Sequence, residues 1–207
     1  MSSWNELSDP AKAQLESIAA ELGLHQAPAV FWSLARVPSL LADHWANLRS
    51  TLIDDGPLEA KARASVAWAV SSMAPDPDLD AFLSERFQST LTETERAEAA
   101  AVASICTTYN TLFKFRHMVD DQDFGKLRAG LRVKTFKETS LETATVELIS
   151  VAVSAINACQ LCVVSHTKKA RDLGLSPEQI DHAVKIAAVV GSLAQFARAS
   201  ASVDPVD

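Results

Sequence analysis

Apolar residues along most of this chain recur three and four positions apart, which is the spacing of one face of an α-helix. Only six glycines and eight prolines interrupt the 207 residues, and long segments rich in Ala, Leu and Glu separate them. The pattern predicts an all-α protein. The predicted helices cover 9–23, 27–50, 58–73, 78–89, 92–119, 122–131, 141–157, 160–173 and 177–199.

Local signals support two of these helices. Ser176, followed by Pro177 and Gln179, is a helix start with a capping serine, a proline in the first helical position and a side chain that completes a capping box. Gly174 ends the helix before it. The valine-rich segment 148–156 has the composition of a strand, but the polar residues around it fall three and four apart, so we predict a largely buried helix.

The chain also resembles itself at a nearly constant spacing. Residues 58–71 align with 141–154 at an offset of 83, and residues 91–94 align with 175–178 at an offset of 84. Two collinear matches favour an internal duplication over chance similarity between Ala-rich helices. We therefore predict a single domain over 1–207 that contains two repeats.

The two predicted repeats differ in their reactive side chains. In the first repeat, about 27–119, Ala64 stands at the position of Glu147, and no histidine follows in the place of the one in the second copy. The first repeat is therefore predicted to be degenerate. Only the second repeat, about 120–207, is predicted to carry chemistry.

Composition excludes several functional classes. The chain has 26 acidic and 19 basic residues, a formal charge of -7, and its cations are scattered along the sequence, which argues against a nucleic-acid partner. The N-terminus lacks the pattern of a signal peptide, and Glu147 and Lys185 interrupt the best candidates for an apolar membrane span. A soluble, cytoplasmic protein is predicted, without a membrane partner. Three cysteines are too few for a disulfide framework.

The most informative motif is a thiol pair with a histidine. Cys159, Cys162 and His166 lie at i, i+3 and i+7, one face of a helix, and Glu147 precedes the first thiol by twelve residues. Thiols in the first turn of a helix are favoured as thiolates. His166 can exchange a proton near neutral pH, and Glu147 lies in an apolar context that suits a relay acid. The set has the parts of a thiol redox centre.

Three other interpretations of the motif stay open. A zinc site normally has four ligands, and no second pair follows at finger-like spacing. A structural disulfide between residues three apart constrains little chain. His166 and Glu147 are each also compatible with a hydrogen-bonded or salt-bridged structural role.

The remaining cysteine and the tryptophans have simpler predicted roles. Cys106 lies in an apolar helix and is predicted to be a small buried residue. The four tryptophans are predicted to anchor the core or an interface rather than a ligand site; they are Trp4, Trp32, Trp45 and Trp68.

The motif resembles that of a known family. Glu147, the two thiols, His166 and the segment 173–180 are similar to the alkyl hydroperoxidase AhpD branch of the carboxymuconolactone decarboxylase-like superfamily. The resemblance extends back through 109–117 and 127–132, segments similar to the link between repeats in that branch, and more loosely into the first half. It implies a duplicated helical domain that assembles into a homotrimer or a larger ring such as a hexamer.

The resemblance also implies an activity and a role for each residue. The family reduces organic hydroperoxides, with no cofactor or metal, and is recharged by a lipoylated protein or another thiol donor. By resemblance, Cys162 is the peroxidatic thiol, Cys159 resolves it to a disulfide, and Glu147 and His166 serve a proton relay. The chain departs from the family at Leu161, where AhpD carries a histidine.

Two rival functions remain. A carboxymuconolactone decarboxylase is the rival among enzymes, although decarboxylation needs no paired thiols. A non-catalytic redox sensor or disulfide-exchange protein is the rival from another class. Repeated turnover of peroxide distinguishes an enzyme from a sensor, which is oxidised once and stops.

Overall fold

Helices connected by short turns build the protein, and a computed structural model describes residues 4–119 and 121–201. No strand occurs within those ranges, which confirms the predicted all-α class. The α-helices are α1 (Asp9–Leu22), α2 (Ala29–Leu34), α3 (Pro38–Leu48), α4 (Ala60–Ser71), α5 (Pro77–Phe87), α6 (Glu93–Val119), α7 (Gln122–Lys126), α8 (Thr143–Ile156), α9 (Gln160–Asp172) and α10 (Pro177–Ala201). Short 3₁₀ turns lie at Trp4–Glu6 and Lys134–Phe136, and a π-helical turn, Arg49–Ile53, continues α3.

The prediction of one helix over 27–50 is wrong. The chain leaves helical geometry after α2 and restarts at Pro38, the first residue of α3. Val37, just before that proline, has φ -126° and ψ 87°. Proline disfavours the α conformation in the residue before it, so a continuous helix is excluded at this point.

The predicted helix over 122–131 is also too long. It ends at Lys126, since Leu127 is already extended, with ψ 139°. Gly130 then takes a left-handed conformation, with φ 69°. The segment from Leu127 to α8 carries only the short 3₁₀ turn, which places an exposed connection where the sequence pattern indicated a helix.

Capping boxes start the two longest helices. The Ser176 amide donates to Gln179 Oε1 at 2.9 Å, and the Gln179 amide donates to Ser176 Oγ at 3.2 Å. This confirms the start predicted for α10. Thr92 and Glu95 form the same reciprocal pair before α6, with distances of 2.8 and 3.2 Å.

The core forms where α4, α6, α8 and α10 pack together, with α9 lying across α8 and α6. Val66, Ile149 and Ile186 are completely buried there. Every residue of α8 from Leu148 to Ser154 is buried, which confirms the predicted buried helix. Trp45 also lies in the core, with its ring edge-to-face against Phe31, as predicted for an anchor.

The order of elements agrees with the predicted repeats. Helices α4, α5 and α6 begin at residues 60, 77 and 93, and helices α8, α9 and α10 begin at residues 143, 160 and 177. Asp76 caps α5, and Cys159 occupies the corresponding position before α9. This collinearity is what supports the duplication, which stays a prediction.

Helix α10 is the one helix in the described ranges that is long and apolar enough to cross a membrane by length and composition. Half of its most apolar 18-residue window is buried inside the protein. Ile186, Val190 and Leu193 are completely buried. These residues of α10 therefore pack in the core against the other helices.

Candidate active site

A tight turn between α8 and α9 places the first thiol. The Cys159 amide donates to the Ser154 carbonyl and the Ala158 amide to the Ala155 carbonyl, both at 3.0 Å. These two bonds form a Schellman cap, which needs a left-handed residue, and Ala158 supplies it with φ 51°. The Cys159 carbonyl then accepts the first bond of α9, from the Val163 amide at 2.9 Å. Cys159 therefore ends one helix and caps the next.

Ala158→Gly is expected to stabilise the fold. A left-handed conformation costs a residue with a Cβ about 1–2 kcal/mol, and part of that gain is offset by the greater freedom of glycine in the unfolded chain. A net gain of about 1 kcal/mol should raise Tm by roughly 2–4 °C. Thermal unfolding followed by circular dichroism measures the shift.

Gly174 provides the matched control for that change. It occupies the same position of the cap that ends α9, with φ 90° and no atom within 4 Å of the position a Cβ would take. Gly174→Ala should therefore lower Tm by strain alone. If both variants shift Tm in the same direction, the left-handed conformation does not control stability at these caps.

The two motif thiols are joined. Cys159 and Cys162 form a disulfide, with their Cα atoms 5.3 Å apart. Cys159 is completely buried, whereas Cys162 retains 6% of its surface. Both cysteines therefore lie beneath the surface, with Cys162 slightly the more exposed. No group of three or more His, Cys, Asp and Glu side chains in the described ranges could hold a metal ion.

Glu147 and His166 meet beside the thiol pair. Glu147 Oε2 lies 2.6 Å from His166 Nδ1, and the two side chains are only 12% and 13% exposed. Lys169 Nζ lies 3.8 Å from the other Glu147 oxygen, and the Phe136 ring packs edge-on to the imidazole. A carboxylate at Nδ1 holds the ring proton there, so that Nε2 is the acceptor of the neutral imidazole.

The geometry of α9 relates this pair to the thiols. Cys162, His166 and Lys169 are four and three residues apart, so they follow one another along one face of α9. Glu147 approaches that face from the second turn of α8. The structure therefore joins Cys159 to Cys162 and Glu147 to His166, and helical spacing places Cys162 and His166 one turn apart on α9. The roles of the individual residues stay predictions.

Helix α6 contributes contacts that sequence reasoning missed. Lys114 Nζ donates to the Asn157 carbonyl at 2.9 Å, and Asn157 Nδ2 donates to Thr107 Oγ1 at 3.2 Å. His117 Nε2 lies 3.2 Å from Gln160 Oε1. All three α6 residues hold the turn around Cys159. Thr107, Lys114 and His117 are seven and three residues apart, which places them on one face of α6. This spacing is the sequence signal that could have identified them.

Cys106 is buried, as predicted, but it is not merely a small apolar residue. Its Sγ lies 3.6 Å from the Ser150 carbonyl and 3.7 Å from Ser154 Oγ, so the thiol joins a polar contact between α6 and α8. The Ser154 hydroxyl donates to Asn110 Oδ1 at 3.0 Å. Burial raises the pKa of Cys106, which keeps it a neutral thiol and makes it a poor nucleophile.

Leu161, the departure from the family pattern, lies at the surface. Its side chain is 48% exposed. With Phe113 and His117 it lines an open cavity of about 360 Å³ between α6, α7 and α9. The residue between the two cysteines therefore faces this surface cavity rather than the core.

Within the described ranges, an all-helical fold carries a paired Cys-x-x-Cys at a helix start and a carboxylate–imidazole pair that joins the same two helices. Comparison with known proteins identifies the family. The Carboxymuconolactone decarboxylase family model matches residues 122–204. The chain belongs to the AhpD-like branch of this family.

Three proteins named Alkyl hydroperoxide reductase AhpD illustrate the relationship. The protein of Gluconacetobacter diazotrophicus is 35% identical over 159 residues, which cover 77% of this chain and 87% of the relative. That of Coxiella burnetii is 31% identical over 162 residues, covering 77% and 92%. That of Streptomyces coelicolor is 34% identical over 161 residues, covering 74% and 86%.

Proposed function

We propose that this protein reduces alkyl hydroperoxides through a cycle of thiol, sulfenic acid and disulfide at Cys162 and Cys159. The observation that carries the proposal is the Glu147–His166 pair, with Oε2 and Nδ1 2.6 Å apart, which joins the two helices that meet at the Cys159–Cys162 disulfide. The names of the relatives support an alkyl hydroperoxide reductase activity.

The first half of the proposed cycle oxidises Cys162. Its thiolate attacks the terminal oxygen of the hydroperoxide, the O–O bond breaks, and the alkoxide leaves as an alcohol once it is protonated. The His166–Glu147 pair accepts the thiol proton and returns it to the leaving oxygen. Peptide N–H groups at the start of α9 favour the thiolate.

The second half resolves and restores the thiols. Cys159 attacks the sulfenic acid on Cys162, forming the disulfide and releasing water. A dithiol, on a lipoylated protein or another thiol donor, then reduces the disulfide and is itself oxidised to a disulfide. The two electrons given to the peroxide thus come from the dithiol, and no cofactor is required.

Turnover with cumene hydroperoxide and excess dihydrolipoamide tests the proposal. An enzyme consumes many equivalents of peroxide per chain. A redox sensor consumes one equivalent and stops, and a decarboxylase consumes none. Either of the last two results would replace the proposed function with the corresponding rival.

We also propose that the protein is a cytoplasmic homotrimer or a larger ring such as a hexamer. The proposal is supported by exposed apolar side chains on α6 and α9, such as Met118 and Val164, which contact between copies would cover. Light scattering at micromolar concentration measures the mass. A 22.3 kDa species alone would contradict the proposal.

Leu161→His is expected to raise turnover at pH 7. An apolar side chain beside Cys162 opposes formation of the thiolate, whereas a histidine exchanges protons and stabilises it. The titration midpoint of the Cys162 thiolate should fall, and the preference for bulky apolar peroxides should weaken. Absorbance at 240 nm follows the thiolate. Val164→His, on the same helix and more exposed, is the control. If Leu161→His changes neither quantity, His166 and Glu147 carry the whole proton path.

A further inference from the structure

The connection between α7 and α8 has an unusual charge. Residues 126–137, here called the strap, contain five basic residues and no acidic one. The rest of the chain keeps 14 basic and 26 acidic residues. The expectation that cations are scattered along the chain is therefore wrong for this segment. The strap is a cationic surface on an otherwise acidic protein.

Helix α6 holds the strap by its backbone. The Tyr109 hydroxyl donates to the Leu131 carbonyl at 2.6 Å. Arg116 donates to the carbonyls of Leu127 and Arg128 at 3.0 and 3.2 Å. Because the backbone is fixed in this way, the exposed side chains of the strap are presented to a partner at little further cost in conformational entropy.

Several strap cations form no ion pair within the described part of the chain. The side chains of Arg128, Arg132 and Lys137 are exposed and form no ion pair with any other residue in the described ranges. Lys126 and Lys134 pair with Asp123 and Glu138, but those pairs are themselves largely exposed. Exposed pairs are weak, so all five cations contribute to the surface potential.

The two ends of the strap lie close to two parts of the thiol site. At one end, Gly125 lies directly before the strap and lines the same cavity as Leu161, between the two cysteines. At the other end, the Phe136 ring packs against the His166 ring, with centroids 6.1 Å apart. A partner bound along the strap is therefore beside the disulfide and the imidazole together.

We propose that the strap is the docking surface for an acidic protein that carries the reducing dithiol; this inference rests on the proposed function. Both sulfurs are almost completely buried, so the dithiol has to be delivered in a defined orientation. A cationic surface beside the disulfide orients an acidic partner and accelerates its approach. An extended polyanion fits less well, because the acidic remainder of the chain repels it.

The exchange step balances without any further reagent. A thiolate of the partner attacks one sulfur of the Cys159–Cys162 disulfide, the sulfur–sulfur bond breaks, and a mixed disulfide forms. The second thiol of the partner attacks that mixed disulfide and releases the remaining cysteine. The partner loses two electrons and two protons, and the cysteine pair gains both.

The test measures reduction of the oxidised protein in the absence of peroxide. The probes are two synthetic dithiol peptides of one sequence, one with four glutamates around its thiols and the other with four glutamines. The acidic peptide should reduce the wild-type disulfide about 10-fold faster at low salt, within the range of electrostatic rate enhancement. The advantage should shrink at 0.5 M salt, where screening is strong.

Charge reversal in the strap tests whether its cations cause the faster reduction by the acidic peptide. Arg128→Glu with Arg132→Glu should remove the advantage of the acidic peptide. Lys12→Glu with Arg86→Glu, on α1 and α5, changes the net charge equally outside the strap and should preserve the advantage of the acidic peptide. Equal loss in both double variants, or a surviving advantage in the strap variant, would overturn the proposal.

Further measurements exclude other occupants of the strap. Wild-type binding to duplex DNA or to anionic lipid vesicles at physiological salt, lost in the strap variant, would assign the surface to those polyanions instead. A change in oligomeric mass in that variant would assign it to contact between copies. Oxidation of the reduced wild type by peroxide is measured in a separate assay. That assay distinguishes failure of the proposed function from failure of the docking proposal.

Discussion

Cys162→Ser should abolish peroxide reduction, whereas Cys159→Ser should still be oxidised once. The two thiols have different proposed roles, because only Cys162 attacks peroxide and only Cys159 converts the sulfenic acid into a disulfide. In Cys159→Ser the sulfenic acid should therefore persist and be trapped by dimedone on Cys162. Mass spectrometry after one equivalent of peroxide identifies the adduct. Wild type should show the internal disulfide.

Cys106→Ser is the control for removal of a thiol. Cys106 is buried at the α6–α8 contact, and burial raises its pKa, so this variant should retain turnover. An adduct on Cys159 in Cys162→Ser, with activity retained, would reverse the assigned roles. The absence of both adduct and disulfide in wild type would remove the peroxidase hypothesis.

Glu147→Gln should lower peroxide turnover by about 10²-fold, the usual magnitude for loss of a positioned acid or base. The change is nearly isosteric, and the glutamine oxygen can still accept the hydrogen bond from His166 Nδ1. What disappears is the negative charge that stabilises the imidazolium and the group that exchanges the proton. Steady-state turnover of cumene hydroperoxide measures the loss.

Glu142→Gln, at the residue that precedes the same helix, is the matched control. Glu142 is exposed just before α8 and makes no capping bond, so turnover and Tm should stay close to wild type. For Glu147→Gln, turnover reports on the catalytic role of the side chain and Tm reports on its structural role. Unchanged activity with a collapse in Tm would make Glu147 a structural residue and contradict the relay.

Much of the scaffold is predictable because local chemistry controls it. Ser176 with Gln179 starts α10 through side-chain bonds to the first free amides, and those partners lie within four residues. Spacing along the chain likewise places Cys162 and His166 on one face of α9. Such predictions succeed because the interacting atoms are close in sequence.

Predictions fail where a local pattern conflicts with a backbone constraint. The apolar periodicity over 27–50 continues through Val37, yet Pro38 forbids helix in the residue before it. Ala158 shows the opposite case. Nothing in an alanine side chain indicates a left-handed residue, and the conformation arises because α8 must end and α9 must start within three residues.

The helical class, the buried character of α8, and the presence of two thiols, a carboxylate and an imidazole within one stretch of 20 residues follow from the amino-acid sequence alone. The bond from Glu147 to His166, the contacts of α6 with the turn before Cys159, and the packing of the strap against His166 emerge only in the folded protein. The difference lies in distance along the chain. Helix propensity and capping act over a few residues, whereas these contacts join residues about 20 to 50 positions apart and depend on how whole helices pack.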